Sequence, residues 1–248
     1  MCYRKRTTYY SSAYHSSITH VITFSLSLTL TLVLVLSHSL LPFTMKRYCV
    51  PTTDPALPKR TKELERPALH DLGIEGLSLV DEFITVEEER ALIRSIDEEK
   101  WDTRLKRRTQ HYGFVYDYKS KGASVPAAPL PSWCEFIVER MMEQKIIQVK
   151  PDQMIVNEYM PGQGIHPHVD DVRSFDDGIV SLSLGSHVIM DLVHPSIPKR
   201  EAGLKRRSII SFHGPARYAW RHGITPRRAD HGIDRNRRIS LTFRKMKT

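Results

Sequence analysis

The chain has 248 residues, a formal net charge of +9, and 40% hydrophobic and 26% charged residues. That is room for one globular domain of ordinary size with extensions, and not for two. Three scattered cysteines, Cys2, Cys49 and Cys134, exclude a disulfide framework and a zinc-finger spacing and suit a reducing compartment.

Residues 1–53 contain no acidic side chain and are rich in Ser and Thr, with Arg4, Lys5 and Arg6 ahead of an uncharged run at 21–43. The run is long enough to span a bilayer, although Ser, Thr and Leu alternate through it. Three readings compete for the leader at 1–44: an organelle transit segment, a membrane anchor, or an extension upstream of a start at Met45. Starting at Met45 implies cytoplasm or nucleus; using the leader implies an organelle or a membrane association. Residues 45–71, with Pro51, Pro55, Pro58 and Pro67 among mixed charges, read as a flexible linker. The folded domain is expected over 72–248, as a monomer.

A helix is predicted over 86–99, opened by a capping box of Thr85 and Glu88, with Leu92, Ile93 and Ile96 on its apolar face. A basic stretch, Arg104-Leu-Lys-Arg-Arg108, then runs into Gln110-His-Tyr-Gly-Phe-Val-Tyr-Asp-Tyr118. There Arg107, Arg108, Tyr112 and Tyr116 are candidate substrate residues, cations for a phosphate backbone beside rings on which bases stack. The bland alternative is a solvated loop whose rings pack down. A second helix is predicted over 133–144 with a capping box of Ser132 and Glu135 and an apolar side of Phe136, Ile137, Met141 and Met142. From residue 154 the pattern turns to short strands, at 154–159, 179–184, 188–193, 208–212 and 238–243. The fold class expected is mainly β with flanking helices, arranged as a jelly roll.

His168 and Asp170, two apart, share one face if the segment is a strand. By itself such a pair in a basic protein is most often a surface feature. His222, much later, supplies a second imidazole, and two imidazoles with one carboxylate form the facial triad of non-haem iron sites. Zinc with the same ligands is the competitor. The last strand separates the two. In Arg238-Ile-Ser-Leu-Thr-Phe-Arg244, Arg238, Ser240, Thr242 and Arg244 share one face and Ile239, Leu241 and Phe243 the other. Two arginines facing inward suit a small dicarboxylate beside the metal, because a planar guanidinium binds carboxylate in bidentate fashion. Asn157 and Tyr159 add an amide and a hydroxyl. His166 is expected in the pocket or on the surface; His111, His187, His194 and His213 are expected to be structural.

Together, Asn157-x-Tyr159, Pro161-Gly-Gln-Gly-Ile165, His168-x-Asp170, Ile179 to Ser186, His222 and Arg238-x5-Arg244 resemble the AlkB-like Fe(II)/2-oxoglutarate-dependent dioxygenases. The resemblance covers 72–247 and implies a double-stranded β-helix. It implies His168, Asp170 and His222 as ligands of Fe(2+), and Arg238 as the partner of the distal carboxylate of 2-oxoglutarate. Asn157 and Tyr159 would also bond that cosubstrate, and Arg244 would lie near its metal-bound end, with O2 as the oxidant. Some members carry Asn where this chain has Ser240, and a serine offers fewer hydrogen-bonding groups, so Ser240 is a weaker cosubstrate residue. The activity implied is hydroxylation or oxidative demethylation of alkylated nucleic acid. The core is most similar to the branch acting on tRNA wobble uridines, which favours RNA or tRNA over DNA. That branch commonly adds an RNA-recognition and a methyltransferase domain, for which 248 residues are expected to leave no room. The rival expectation is an oxygenase acting on protein.

Overall fold

The computed structural model describes residues 69–117 and 122–247. The predicted leader and the linker up to residue 68 lie outside the described residues. Strands β1 (Leu69–His70) and β2 (Leu77–Val80) come first. Thr85 then caps α1 (Val86–Glu98). Its hydroxyl accepts from the Glu88 N–H at 3.1 Å, and the Glu88 carboxylate accepts from the Thr85 N–H at 2.8 Å, the reciprocal box that the sequence predicts.

The second capping box does not form. Ser132–Cys134 makes one turn of 3-10 helix and α2 (Glu135–Glu143) begins from Cys134 with no side-chain cap. Pro131 enters extended, and the Glu135 N–H that the Ser132 hydroxyl was expected to serve donates instead to the Ser132 carbonyl in a tighter backbone turn. The buried stripe is also rotated: Val138 is in the core and Met142 is 38% exposed. Arg140 on α2 grips Glu88 at 2.6 and 2.9 Å, which locks the two helices together.

The remaining strands are β3 (Thr109–Tyr112), β4 (Phe114–Asp117), β5 (Gly122–Pro126), β6 (Gln153–Tyr159), β7 (Ile165–His168), β8 (Ile179–Leu184), β9 (Val188–Val193), β10 (Arg200–Leu204), β11 (Ile209–Phe212), β12 (Arg221–Ile224), β13 (Ala229–Asp230), β14 (Ile233–Asp234) and β15 (Arg238–Arg244). A short helix, α3 (Gly214–Tyr218), precedes β12. Seven strands form a major sheet in the order β1-β2-β11-β8-β15-β6-β3 and four form a minor sheet, β10-β9-β12-β7, with every pair antiparallel. This is the jelly roll expected. No helix among the described residues is long and apolar enough to cross a membrane.

Period-two alternation gives the major sheet two unlike faces. On one, Met154, Val156, Val180, Leu182, Ile239, Leu241 and Phe243 pack with Leu92, Ile96, Ile137 and Met141 of the helices. On the other, Tyr159, Ile179, Ile210 and Phe212 meet Val188, Met190, Leu192 and Ile224 of the minor sheet. Gln153 and Asn157 of β6, Ser181 and Ser183 of β8, and Arg238, Ser240, Thr242 and Arg244 of β15 share this second face, whereas Glu158 of β6 points the other way, to Arg108 and Arg237.

Candidate active site

Strands β7 and β12 pair antiparallel with His168 opposite His222, so two imidazoles from distant parts of the sequence stand side by side with ring centroids 4.6 Å apart. Gly223 permits it: a Cβ there would lie 2.7 Å from the backbone nitrogen of Pro167. Asp170 is not on the strand, since β7 ends at His168, and the strand-face argument for the His-x-Asp pair is corrected accordingly. The buried Arg217 of α3 draws the chain out of the sheet instead. It donates to the backbone carbonyl of Asp170 at 2.9 Å and to that of Asp171 at 3.4 Å.

The turn still delivers the carboxylate to the imidazoles. His168 Nε2 lies 4.0 Å from Asp170 Oδ1 and His222 Nε2 3.7 Å from Asp170 Oδ2, and one donor atom from each of the three side chains falls within 4.8 Å of the others. His168 Nδ1 sits 2.8 Å from the carbonyl of His166, which can only accept, so Nδ1 carries a hydrogen and Nε2 is the atom left to act as a ligand. Burial pushes the His222 pKa down to about 4 against the pull of Asp170, with His168, Arg244 and Arg217 adding to the fall. Burial would raise the Asp170 carboxyl, but Arg244, the two histidines and Arg217 outweigh it and hold the group below the usual carboxylate range. Arg244 answers Oδ1 of this ionised carboxylate, and Oδ2, buried with no hydrogen-bond partner, is left to take a cation.

A second set of polar groups lies along β6, β8 and β15. Register puts Arg238 opposite Tyr159 and Ser240 opposite Asn157. Arg244 donates to Asp170 Oδ1 at 3.0 Å and to Gln153 Oε1 at 3.2 Å, and its guanidinium lies 4.9 Å from the Phe175 ring centroid. Arg238 is 2% exposed; it donates to Ser183 Oγ at 2.7 Å and lies 5.6 Å from the Tyr159 ring centroid, while its Nε and Nη1 are buried without a partner. Burial lowers its pKa to about 10 against the pull of Tyr159. No carboxylate of the described residues meets this guanidinium, so its electrostatics ask for an anionic ligand. Ser240 Oγ shares a hydrogen bond of 2.8 Å with Ser181 Oγ. Asn157 Oδ1 accepts from Arg107 Nε at 3.0 Å; because arginine only donates, the amide orientation is fixed and its N–H donors point to other partners.

A cavity of about 730 Å³ opens over His168 and Asp170 of the triad, lined also by Asn157, His166, Arg244, Tyr116, Arg107 and Arg173. Of the four predicted substrate residues, Arg107 and Tyr116 line it, Tyr116 against Phe175 at 5.8 Å. Tyr112 does not. On β3 it stands opposite Met154, on the helix-packed face, with its hydroxyl on Gln110 and its ring edge-on to Trp133 at 6.0 Å. Arg108 is turned away too, held by Glu158 at 2.5 and 2.8 Å and stacked 4.5 Å from Trp101. His213 and His194 are structural, one bonded to the Ile146 carbonyl at 3.0 Å and the other against Trp220 at 5.2 Å. Sequence reasoning missed Arg217, Gln153 and Phe175. Only the Ser181 and Ser183 alternation of β8 carried a local signal.

The family model described as the 2OG-Fe(II) oxygenase superfamily matches residues 76–244. The chain belongs to that superfamily. Within it the chain is AlkB-like and a dioxygenase of the oxidoreductase class. It is 38% identical over 182 residues to the tRNA (carboxymethyluridine(34)-5-O)-methyltransferase ALKBH8 of Mus musculus, covering 67% of this chain and 27% of that protein. Protein L905 of Acanthamoeba polyphaga mimivirus is 35% identical over 179 residues, covering 69% of this chain and 85% of that one. The chain thus spans about a quarter of the length of the mouse relative. The solved structure of OsALKBH1 aligns with a TM-score of 0.56 at 18% identity, over 72% of this chain and 100% of that one, a likeness of fold. The superfamily uses Fe(II), 2-oxoglutarate and dioxygen. The triad is a donor set that can hold such a metal, and the unpaired guanidinium nitrogens of Arg238 suit a carboxylate.

Proposed function

We propose that the chain is a Fe(II)- and 2-oxoglutarate-dependent dioxygenase that hydroxylates or oxidatively demethylates alkylated nucleic acid, RNA or tRNA in preference to DNA. The observation behind this reading is a pair of incompletely answered buried groups: the Asp170 carboxylate, whose Oδ1 takes Arg244 while its Oδ2 stands unpartnered beside two imidazoles, and the Arg238 guanidinium without an acid. One asks for a cation and the other for an anion. The net charge of +9 and the tRNA that gives the mouse relative its name support the substrate class.

In this account His168, Asp170 and His222 hold the iron, which with 2-oxoglutarate and dioxygen supplies oxidation of a C–H bond to C–OH, releasing succinate and carbon dioxide. On an N-methyl group the hydroxylated product breaks down to formaldehyde and the free base. Arg238 anchors the distal carboxylate and Tyr159 flanks it, while Asn157 offers its amide donors. Arg244 fixes the Asp170 carboxylate in position, and Arg217 fixes the turn that bears it. Tyr116 and Phe175 supply an apolar wall that keeps water from the substrate carbon.

Nucleoside mass spectrometry tests the substrate. Total RNA, and N-methylated RNA and DNA oligonucleotides, are incubated with the chain, ferrous ion and 2-oxoglutarate, with His168→Ala as the blank. Loss of a methylated nucleoside, or gain of a hydroxylated one, only with the intact triad is expected. Succinate without any nucleoside change would move the substrate to protein.

A further inference from the structure

Three loops meet beside the pocket mouth. Gln163 Nε2 donates to the Lys106 carbonyl at 2.8 Å, the Gly162 N–H donates to the Arg227 carbonyl at 3.2 Å, and a Cβ on Gly162 would touch the Arg228 side chain at 3.9 Å. Residues 101–108, 160–163 and 225–228 are therefore one continuous surface, and Arg107, next in sequence to Lys106, already lines the pocket.

The acids of this neighbourhood are consumed internally. Asp102 pairs with Arg104, Glu158 with Arg108 and Arg237, and Asp230 with Arg227 and Arg235. Lys106 and Arg228 are exposed and have no acidic partner among the described residues. Met160, 47% exposed, lies on the middle loop. The pocket itself mixes cations, Arg107 and Arg173, with apolar walls, so a flat ring flanked by anionic groups matches it better than a stretch of acidic side chains does.

We propose that Lys106 and Arg228 form a second anchoring surface for a single-stranded nucleic-acid backbone, holding the phosphates that flank the target nucleotide as they leave the pocket past Arg107. This rests on the nucleic-acid substrate of the preceding reading and adds where the strand runs. Single strands are favoured because a base entering the pocket must leave its stack, and an unpaired strand does so at least cost. The backbone contacts are ionic and indifferent to sequence.

The full chain, loaded with ferrous ion and 2-oxoglutarate without oxygen, is titrated with labelled single-stranded RNA of about 4 and about 16 nucleotides over a range of salt. Comparison is with Lys106→Gln/Arg228→Gln, and with Lys106→Arg/Arg228→Lys, which keeps both charges. The Gln pair is expected to weaken the long strand several-fold and to lower its salt slope by about 1.4, the share of two phosphate contacts on a single strand. Succinate formed without substrate should not change, and the charge-keeping pair should bind both strands as the parent does. A long-strand affinity and slope unaltered in the Gln pair would overturn the inference while leaving the substrate class standing. A parent chain that binds neither strand would overturn the substrate class and this surface with it. Polyglutamate bound more tightly than RNA through the same two residues would reassign the surface to acidic protein.

Discussion

The two faces of the major sheet are built by the same strands, residue by residue in alternation, and they end in opposite conditions. Toward the helices, Ile239, Leu241 and Phe243 of β15 sit in close-packed apolar contact and leave nothing unmet. Toward the minor sheet, Arg238, Ser240 and Arg244 of the same strand lie buried among polar groups, and Arg238 keeps two nitrogens without a partner. The difference separates stability from function within one element: the first face holds the fold, and the second carries charges whose burial costs the fold energy unless a ligand answers them.

Substitutions on each face should therefore fail in different ways. Asp170→Ala has the largest effect. Changes in groups that merely orient a ligand already cost 10- to 100-fold in metal affinity, so loss of a ligand should exceed about 100-fold and abolish succinate formation. Metal titration and a succinate assay check it, and parental turnover in the variant would remove Asp170 from the triad. Leu241→Ala is next and opposite in kind. It should cost about 2–5 kcal/mol in urea unfolding through the cavity it leaves, with metal affinity of the folded fraction unchanged. A variant that loses metal without losing stability would break the division between the faces.

Arg238→Met sharpens the contrast. It should raise the 2-oxoglutarate concentration needed for half-maximal turnover by about 10- to 100-fold, the worth of hydrogen bonds to a charged group. Thermal stability should hold or rise, because an unpaired buried charge is gone. A stability loss as large as that of Leu241→Ala would make Arg238 structural.

The smallest effect is a pH dependence at His111. Burial pushes its pKa from 6.5 down to about 4 against Asp102, with Arg244, Arg104 and Arg107 adding, and its Nδ1 accepts from the Tyr116 N–H at 3.4 Å. Between those pH values the unfolded chain takes up a proton that the folded chain refuses, so this contribution to stability is complete above about 6.5 and is lost as pH falls toward 4. His111→Gln should flatten that part of the urea-midpoint profile; identical profiles would exclude His111 as the source.

Strands β8 and β9 could be bounded from sequence to the residue because their alternation is dense in β-branched and aliphatic side chains. Strand β7, Ile-His-Pro-His, has no such pattern, and β10, Arg-Glu-Ala-Gly-Leu, is a charged edge. The helix caps show the limit of local rules. Thr85 obeyed its spacing, whereas Ser132, behind Pro131, was pre-empted by a 3-10 turn. In the site, residue types and spacing were enough to nominate His168, Asp170, His222 and Arg238, because two imidazoles with one carboxylate form a facial triad and a strand face with an arginine at each end suits a dicarboxylate beside it. Their convergence depends on β7 lying beside β12, and Arg217 acts from a helix with no local marker, so neither could be read from the chain alone. Tyr112 was misplaced because β3 went unrecognised; its period puts Gln110 and Tyr112 on the face that meets the helices and His111 on the other.

The most direct test of the open Asp170 oxygen and the acid-free Arg238 is an anaerobic titration of the chain with ferrous ion and 2-oxoglutarate, followed by the visible charge-transfer band of a keto acid chelated to iron. A band that needs both components, vanishes in Asp170→Ala, and requires far more 2-oxoglutarate in Arg238→Met is the predicted result. No band in the parent chain, or one indifferent to both substitutions, would contradict the account.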